Sequence, residues 1–174
     1  AKAAARDMIR AFKERGTFPA DGPAVRESGI SLFGAGPFAG VAEGLRAFLE
    51  AGRPGDYAAL LAFLPPAAET ADRLRRLTAA VGDKTGLATT WGWGPRYLHS
   101  TGQLHKGDAG RGLFLVLTAG DAEDIPIPDA AGEANSSLGF GALKTAQALG
   151  DYEALRAAGR RAARLDLGPD AAAG

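Results

Sequence analysis

Both histidines of this 174-residue chain, His99 and His105, lie in one polar segment, residues 94–107, between two apolar runs. If the segment is helical, His99, Gln103 and Lys106 occupy positions i, i+4 and i+7 and share one face. An imidazole exchanges protons near neutral pH, and a lysine ammonium does so when burial lowers its pKa. This face therefore predicts acid–base chemistry on a polyhydroxylated or anionic substrate.

The same spacing also fits a purely structural segment. In that interpretation, His99 and His105 are satisfied polar residues at a helix start, and Lys106 is solvated at a helix end, where a cation is favoured. A zinc site is disfavoured because the chain has no cysteine and the spacing of its two histidines gives no helical match. The residues alone leave the catalytic and the structural interpretation open.

A glycine-rich turn, GAGPFAG over residues 34–40, lies between a predicted strand and a predicted helix. Such a turn lets the backbone approach a pyrophosphate at a helix N-terminus. The next strand, however, ends in Leu64 and Pro65 and has no carboxylate to bind a ribose hydroxyl. A tight turn with close helix packing is therefore favoured over nucleotide binding.

Alternating strand and helix patterns position these segments. The apolar patterns predict strands over residues 30–33, 57–64, 86–91, 112–118 and 162–167. Between them, helices are predicted over residues 2–15, between Pro37 and Gly52, and over residues 67–81, 97–106, 138–149 and 152–158. This order predicts a three-layer α/β domain with about five mostly parallel strands, in which a ligand lies at the carboxyl ends of the strands. We expect one domain over residues 1–168 and a flexible tail over residues 169–174.

Composition excludes several classes of protein. With 46% hydrophobic residues, and with 20 basic residues balanced by 20 acidic ones, the chain is neither disordered nor a strongly basic nucleic-acid binder. Its apolar runs are too short for a membrane span, and we expect a cytoplasmic protein. Frequent alanine predicts close approach between helices. Because the first residue is not Met and a helical pattern begins at once, we expect a piece of a longer polypeptide.

Several motifs in order carry a family resemblance. The sequence TTWGWGPRYLHSTGQLHKG over residues 89–107 resembles the C-terminal part of the bifunctional transaldolase/phosphoglucose isomerase family, as do residues 54–64, 112–115, 124–128 and 140–151. The resemblance extends from about residue 54 to residue 168. It implies a sugar-isomerase (SIS) domain with a flavodoxin-like parallel sheet. It also implies interconversion of glucose 6-phosphate and fructose 6-phosphate without a cofactor or a metal.

The resemblance also implies roles for individual residues. Lys106 matches the lysine of the C-terminal signature of ordinary phosphoglucose isomerases, which lies near the sugar ring oxygen, while His99 and Gln103 stand where that signature has Gln and Glu. We therefore expect Lys106 and His99 to be catalytic, and we expect Gln103, His105 and Arg96 to bind substrate. Lys106 is expected in a cleft at the carboxyl edge of the sheet, where replacing it should leave folding intact.

Parts of the implied site are missing from this sequence. The carboxylate base for proton transfer through the enediol is expected upstream, as is the Ser/Thr loop that binds phosphate in the other SIS domain, and a transaldolase segment is a further possible partner. We therefore expect little isomerase activity from the isolated chain. The competing hypothesis is a non-catalytic SIS module that binds a sugar phosphate or serves assembly.

Overall fold

The computed structural model of the chain describes residues 2–19, 21–34 and 36–169, so most of the predicted tail, residues 170–174, lies outside the described residues. The helices are α1 (Lys2–Arg15), α2 (Val41–Glu50), α3 (Ala68–Thr85), α4 (Thr101–Gly107) and α5 (Phe140–Ala157), with a 3-10 helix over Arg96–His99. The strands are β1 (Val25–Glu27), β2 (Ile30–Phe33), β3 (Tyr57–Phe63), β4 (Ala88–Trp93), β5 (Gly112–Thr118), β6 (Pro126–Ile127), β7 (Leu138–Gly139) and β8 (Arg161–Asp166). No described helix combines the length and the apolar character that a membrane crossing requires.

The central sheet has the strand order β1-β2-β8-β5-β3-β4. Strands β8, β5, β3 and β4 are parallel, and β2 and β1 add an antiparallel edge. The prediction of a mostly parallel α/β sandwich in three layers is confirmed. The short strand β1 was not predicted, because three residues are too few to show a periodic pattern.

Two apolar cores lie on opposite faces of the sheet. Alternate residues of β3, such as Leu60 and Leu61, belong to different cores, and every β3 residue after Tyr57 is buried. Helices α2 and α3 cover one face, through Val41 and Leu74. Helix α5 and the 3-10 helix cover the other face, where α1 packs on the outer side of α5.

Helix α5 runs without a break where the sequence predicted two helices separated at Gly150 and Asp151. Both residues are buried. A Cβ atom on Gly150 would lie 2.6 Å from the backbone nitrogen of Ala5, so only glycine allows α1 to approach this closely. The prediction of a helix break was wrong because both residues serve tertiary packing rather than a turn.

The segment that contains both histidines crosses the α5 side of the sheet. It follows β4 at the carboxyl edge of the parallel strands, forms the 3-10 helix and α4, and leads into the amino end of β5. The single helix predicted over residues 97–106 is therefore divided at Ser100, whose φ of −127° and ψ of −105° are not helical.

Candidate functional site

A buried carboxylate on α5 binds two side chains of the segment over residues 94–107. Asp151 of α5 is 1% exposed, and its Oδ2 accepts a hydrogen bond of 2.7 Å from the Tyr97 hydroxyl. Its Oδ1 forms an ion pair with the Lys106 ammonium. Burial and the neighbouring carboxylate raise the pKa of the Tyr97 phenol, so that the hydroxyl remains a hydrogen-bond donor.

Lys106 is held along its own helix as well. Its Nζ donates a 2.9 Å hydrogen bond to the carbonyl oxygen of Gly102, and the side chain is only 16% exposed. The solvated lysine of the structural interpretation is therefore not observed. The ammonium joins α4 to α5 in the interior of the domain.

The expected place of Lys106 at the carboxyl edge is wrong. Its carbonyl oxygen accepts hydrogen bonds of 3.2 and 2.9 Å from the guanidinium of Arg160, which immediately precedes β8. The neighbouring Asp108 accepts a 3.1 Å hydrogen bond from the hydroxyl of Tyr57, the first residue of β3. Strands β3 and β8 both begin at this edge, so the main chain of Lys106 lies at the amino edge.

His105 also belongs to the core. It is 5% exposed, and its ring centroid lies 4.9 Å from that of Phe114 and 6.1 Å from that of Tyr97. Its Nδ1 has no hydrogen-bond partner among the described residues. Burial lowers the pKa of His105, which favours the neutral ring. Direct contact with a substrate, as expected from the resemblance, is closed to His105 in this conformation, and we assign it a packing role.

His99 and Gln103, by contrast, are exposed and line one pocket, which we call the helix pocket. It lies between α1, α5 and the start of α4 and has a volume of about 430 Å³. Its floor is apolar, and its polar lining consists of Lys2, Arg6, His99, Gln103 and Gln147. Pockets of roughly 300–1,000 Å³ hold small ligands. The helix pocket brings an imidazole, two amides and two cations to one concave surface.

Arg96, the remaining residue expected to bind substrate, is exposed at the first position of the 3-10 helix. Of the residues that the structure describes, Arg96 is not among those that line the helix pocket. The structure thus brings His99 and Gln103 together and leaves Arg96, His105 and Lys106 outside their pocket.

A second cavity lies where ligands bind in many parallel α/β sheets. Strands β4 and β5 extend the sheet to opposite sides of β3, and this change of direction opens a crevice at the carboxyl ends of β3 and β5. The cavity there has a volume of about 250 Å³ and is lined mainly by apolar side chains. Its arginine, Arg73, is paired with Glu69 at 2.7 Å. This cavity lacks the proton-transfer groups found in the helix pocket.

The described residues of the glycine-rich turn, 34 and 36–40, do not form a phosphate site. The turn follows β2, which runs antiparallel to β8, so it lies at the amino edge rather than the carboxyl edge of the parallel strands. The N-terminus of α2 is already occupied, because the Glu27 carboxylate accepts a 3.0 Å hydrogen bond from the Val41 amide. The Glu27 carboxylate occupies the place that a phosphate would take, and its negative charge repels a second anion. Within residues 2–19, 21–34 and 36–169, no group of three or more His, Cys, Asp or Glu side chains could hold a metal ion.

Comparisons with known proteins bear on the fold. No protein-family model matches the chain, and no curated protein matches it. Among solved structures, the chain is similar to the hypothetical protein TT0462 from Thermus thermophilus, with 20% sequence identity and a TM-score of 0.54. The match covers 70% of this chain and 32% of that one, so the chain spans about a third of the length of the protein it matches. At this identity the similarity shows the fold alone.

Sequence reasoning missed the groups that hold the segment in place and those that complete the pocket. Asp151 carried a detectable signal, since it is a lone carboxylate in the otherwise apolar run ALGDY over residues 148–152. Arg6 and Gln147 carried none. Neither stands in a sequence pattern that indicates a site, and only the packing of α1 on α5 brings them to His99.

Proposed function

We propose that this chain is the C-terminal SIS domain of a glucose-6-phosphate isomerase, within a longer protein of the transaldolase/phosphoglucose isomerase kind. The resemblance of residues 54–168 supports this function, and the mostly parallel α/β fold agrees with it. One observation carries the proposal for the site. His99 and Gln103, which stand where the isomerase signature has Gln and Glu, line the same pocket, while Tyr97 and Lys106 of the same segment are fixed against α5.

In this proposal His99 is the proton-transfer group for opening the sugar ring. An exposed imidazole can deliver a proton to the ring oxygen and accept one from the hydroxyl on the anomeric carbon. Gln103 orients the sugar hydroxyls, and its amide is itself fixed by a 3.0 Å hydrogen bond from Nε2 to the carbonyl oxygen of Leu98. Both side chains project from a segment anchored by Tyr97 and Lys106, which keeps them in place for the reaction.

Lys106 becomes a positioning residue in this proposal. Its ammonium is committed to the Asp151 carboxylate and to the Gly102 carbonyl oxygen. The contact with Asp151 fixes α4 against α5, and the contact with Gly102 holds the side chain along α4. The base for the enediol step and the Ser/Thr phosphate loop belong to segments outside this chain, and the resemblance expects them upstream.

The commitment of Lys106 also favours a second candidate, a module that binds a sugar phosphate without catalysis. A domain whose matched lysine is buried in an ion pair has lost the group that the resemblance places near the ring oxygen. In that case the helix pocket binds its ligand, but the complete protein does not isomerise it.

A coupled assay that converts fructose 6-phosphate to glucose 6-phosphate tests the proposal. The complete protein that contains this domain is expected to turn over at roughly 1–10³ s⁻¹, the usual range for enzymes. The isolated chain is expected to be slower by at least ~10²-fold, because it lacks the enediol base. A complete protein that binds fructose 6-phosphate without converting it would overturn the isomerase proposal in favour of the binding module.

A further inference from the structure

The charges around the helix pocket are all of one sign. Arg6 and Lys2 of α1 line the pocket, and no acidic side chain lines it among the residues that the structure describes. Neither cation takes part in an ion pair with the described residues. Arg10, one helical turn further along α1, is instead paired with Asp7 at 2.7 Å. Two cations without an ion-pair partner among the described residues, Lys2 and Arg6, therefore line the pocket.

The pocket also offers donors of the kind that oxyanions require. The Arg6 guanidinium can donate paired hydrogen bonds to a phosphate or carboxylate, and the Lys2 ammonium adds charge. His99, Gln103 and Gln147 supply neutral donors and acceptors suited to hydroxyl groups. The volume of about 430 Å³ admits a ligand larger than a bare anion.

We propose that the helix pocket is an oxyanion site, in which Arg6 and Lys2 hold a phosphoryl group and the two glutamines face the polyhydroxylated part of the same ligand. This rests on the proposed function only for the identity of the sugar. The resemblance assigns the phosphate of the substrate to a loop outside this chain, so Arg6 and Lys2 add donors to the same phosphoryl group beside that loop. Free phosphate and a sugar phosphate share the required chemistry.

Titration of the ¹⁵N-labelled 174-residue chain, followed by amide chemical shifts, tests the proposal. The ligands are inorganic phosphate, fructose 6-phosphate and fructose, each added to the wild type, to Arg6→Ala and to Arg10→Ala. Arg10→Ala is the matched control, because it removes the same side chain from the same helix outside the pocket. Amide spectra of both variants establish that they remain folded.

We expect phosphate and fructose 6-phosphate to shift amides of residues 2–9, 98–103 and 143–147, and fructose alone to leave them unchanged. Arg6→Ala should weaken both interactions by at least about tenfold, as expected for loss of a charged hydrogen bond, while Arg10→Ala keeps wild-type affinity. Higher salt should weaken binding in parallel. Tighter binding of fructose 6-phosphate than of phosphate identifies a sugar phosphate as the source of the oxyanion.

Three results would overturn the oxyanion site: no shift with either phosphate ligand, shifts that persist in Arg6→Ala, or equal binding of fructose and fructose 6-phosphate. The last of these would leave sugar recognition, and with it the proposed function, intact. Equal binding of phosphate and fructose 6-phosphate would support the oxyanion site while removing support for sugar recognition. The two proposals therefore fail separately.

Discussion

The Asp151 carboxylate and the Tyr97 hydroxyl, 54 residues apart in the chain, are joined by a buried hydrogen bond of 2.7 Å. The same carboxylate is paired with Lys106, so one side chain of α5 holds both ends of the segment that presents His99 and Gln103. The polar residues of this segment thus fall into two groups. The inner group, Tyr97 and Lys106, contacts Asp151 and fixes the position of the segment. The outer group, His99 and Gln103, lines the helix pocket.

Lys106→Ala should destabilise the domain by about 3–5 kcal/mol, because it leaves the Asp151 carboxylate buried without its cation. This replaces the expectation, based on a lysine at the edge of a site, that folding would be unaffected. Urea denaturation measures the change. Lys84→Ala, at an exposed position of α3, is the control and should alter the free energy of unfolding by no more than about 0.5 kcal/mol. Equal effects of the two substitutions would contradict the buried ion pair.

Tyr97→Phe removes one hydroxyl and keeps the ring that packs on Phe63. The loss should be about 1–3 kcal/mol, since the hydroxyl donates to a buried carboxylate. Tyr152→Phe provides the comparison, because the Tyr152 hydroxyl has no protein hydrogen bond among the described residues, and its cost should be smaller. Chemical denaturation measures the free energy of unfolding of both variants. A Tyr97→Phe protein as stable as the wild type would show that the hydrogen bond contributes nothing to stability.

His105 should make stability depend on pH. Burial lowers its pKa below the ordinary 6.5. Just below pH 6.5, His105 is therefore protonated in the unfolded chain and still neutral in the folded chain. The carboxylates of Asp151 and Asp108 oppose this shift and the Lys106 ammonium assists it. Stability is therefore complete above about pH 6.5 and falls as the pH decreases below that value, by at most about 1.4 kcal/mol per pH unit.

Free energies of unfolding between about pH 7.5 and pH 5.5, on either side of the ordinary histidine pKa, check this dependence. His105→Phe should flatten the profile, because no titrating group then remains among the rings of Tyr97 and Phe114. A slope that survives His105→Phe would assign the dependence to another group.

Gly150→Ala should destabilise the contact between α1 and α5 by about 1–3 kcal/mol, since the added Cβ would overlap the backbone of Ala5. Gly107→Ala is the matched substitution. It lies in α4, where an added Cβ would have no neighbouring atom within 4 Å, and should be neutral or slightly stabilising. Thermal unfolding of the two variants separates the packing effect from helix propensity, and a stabilised Gly150→Ala protein would be inconsistent with the close helix approach.

Sequence patterns were sufficient for the frame of the fold. The strands predicted over residues 30–33 and 112–118 match the structure at both ends, and β3, β4 and β8 match to within two residues. These strands can be recognised from neighbouring residues alone, because each is an apolar run bounded by glycine or proline or by a change of pattern. The break predicted at Gly150 was wrong because a glycine that permits helix packing and a glycine that ends a helix look alike in sequence.

The site was less predictable than the fold. Helical spacing put His99, Gln103 and Lys106 on one face. The division at Ser100 places His99 outside α4, and within α4 Gln103 lines the helix pocket while Lys106 is paired with Asp151. Asp151, whose carboxylate determines the direction of the Lys106 side chain, lies 45 positions later in the sequence (151 − 106). No local pattern contains that information.

In the proposed function, proton transfer belongs to His99 of the outer group and not to His105 of the core, and a comparison of the two histidines separates these roles. The rate of conversion of fructose 6-phosphate to glucose 6-phosphate is measured for the complete protein with His99→Ala and with His105→Phe. His99→Ala should lower turnover by about 10²–10⁴-fold, as loss of a general acid–base group does, with the melting temperature unchanged. His105→Phe should retain most of the turnover. Wild-type turnover in His99→Ala, or an equal loss in both variants, would show that His99 is not the proton-transfer group.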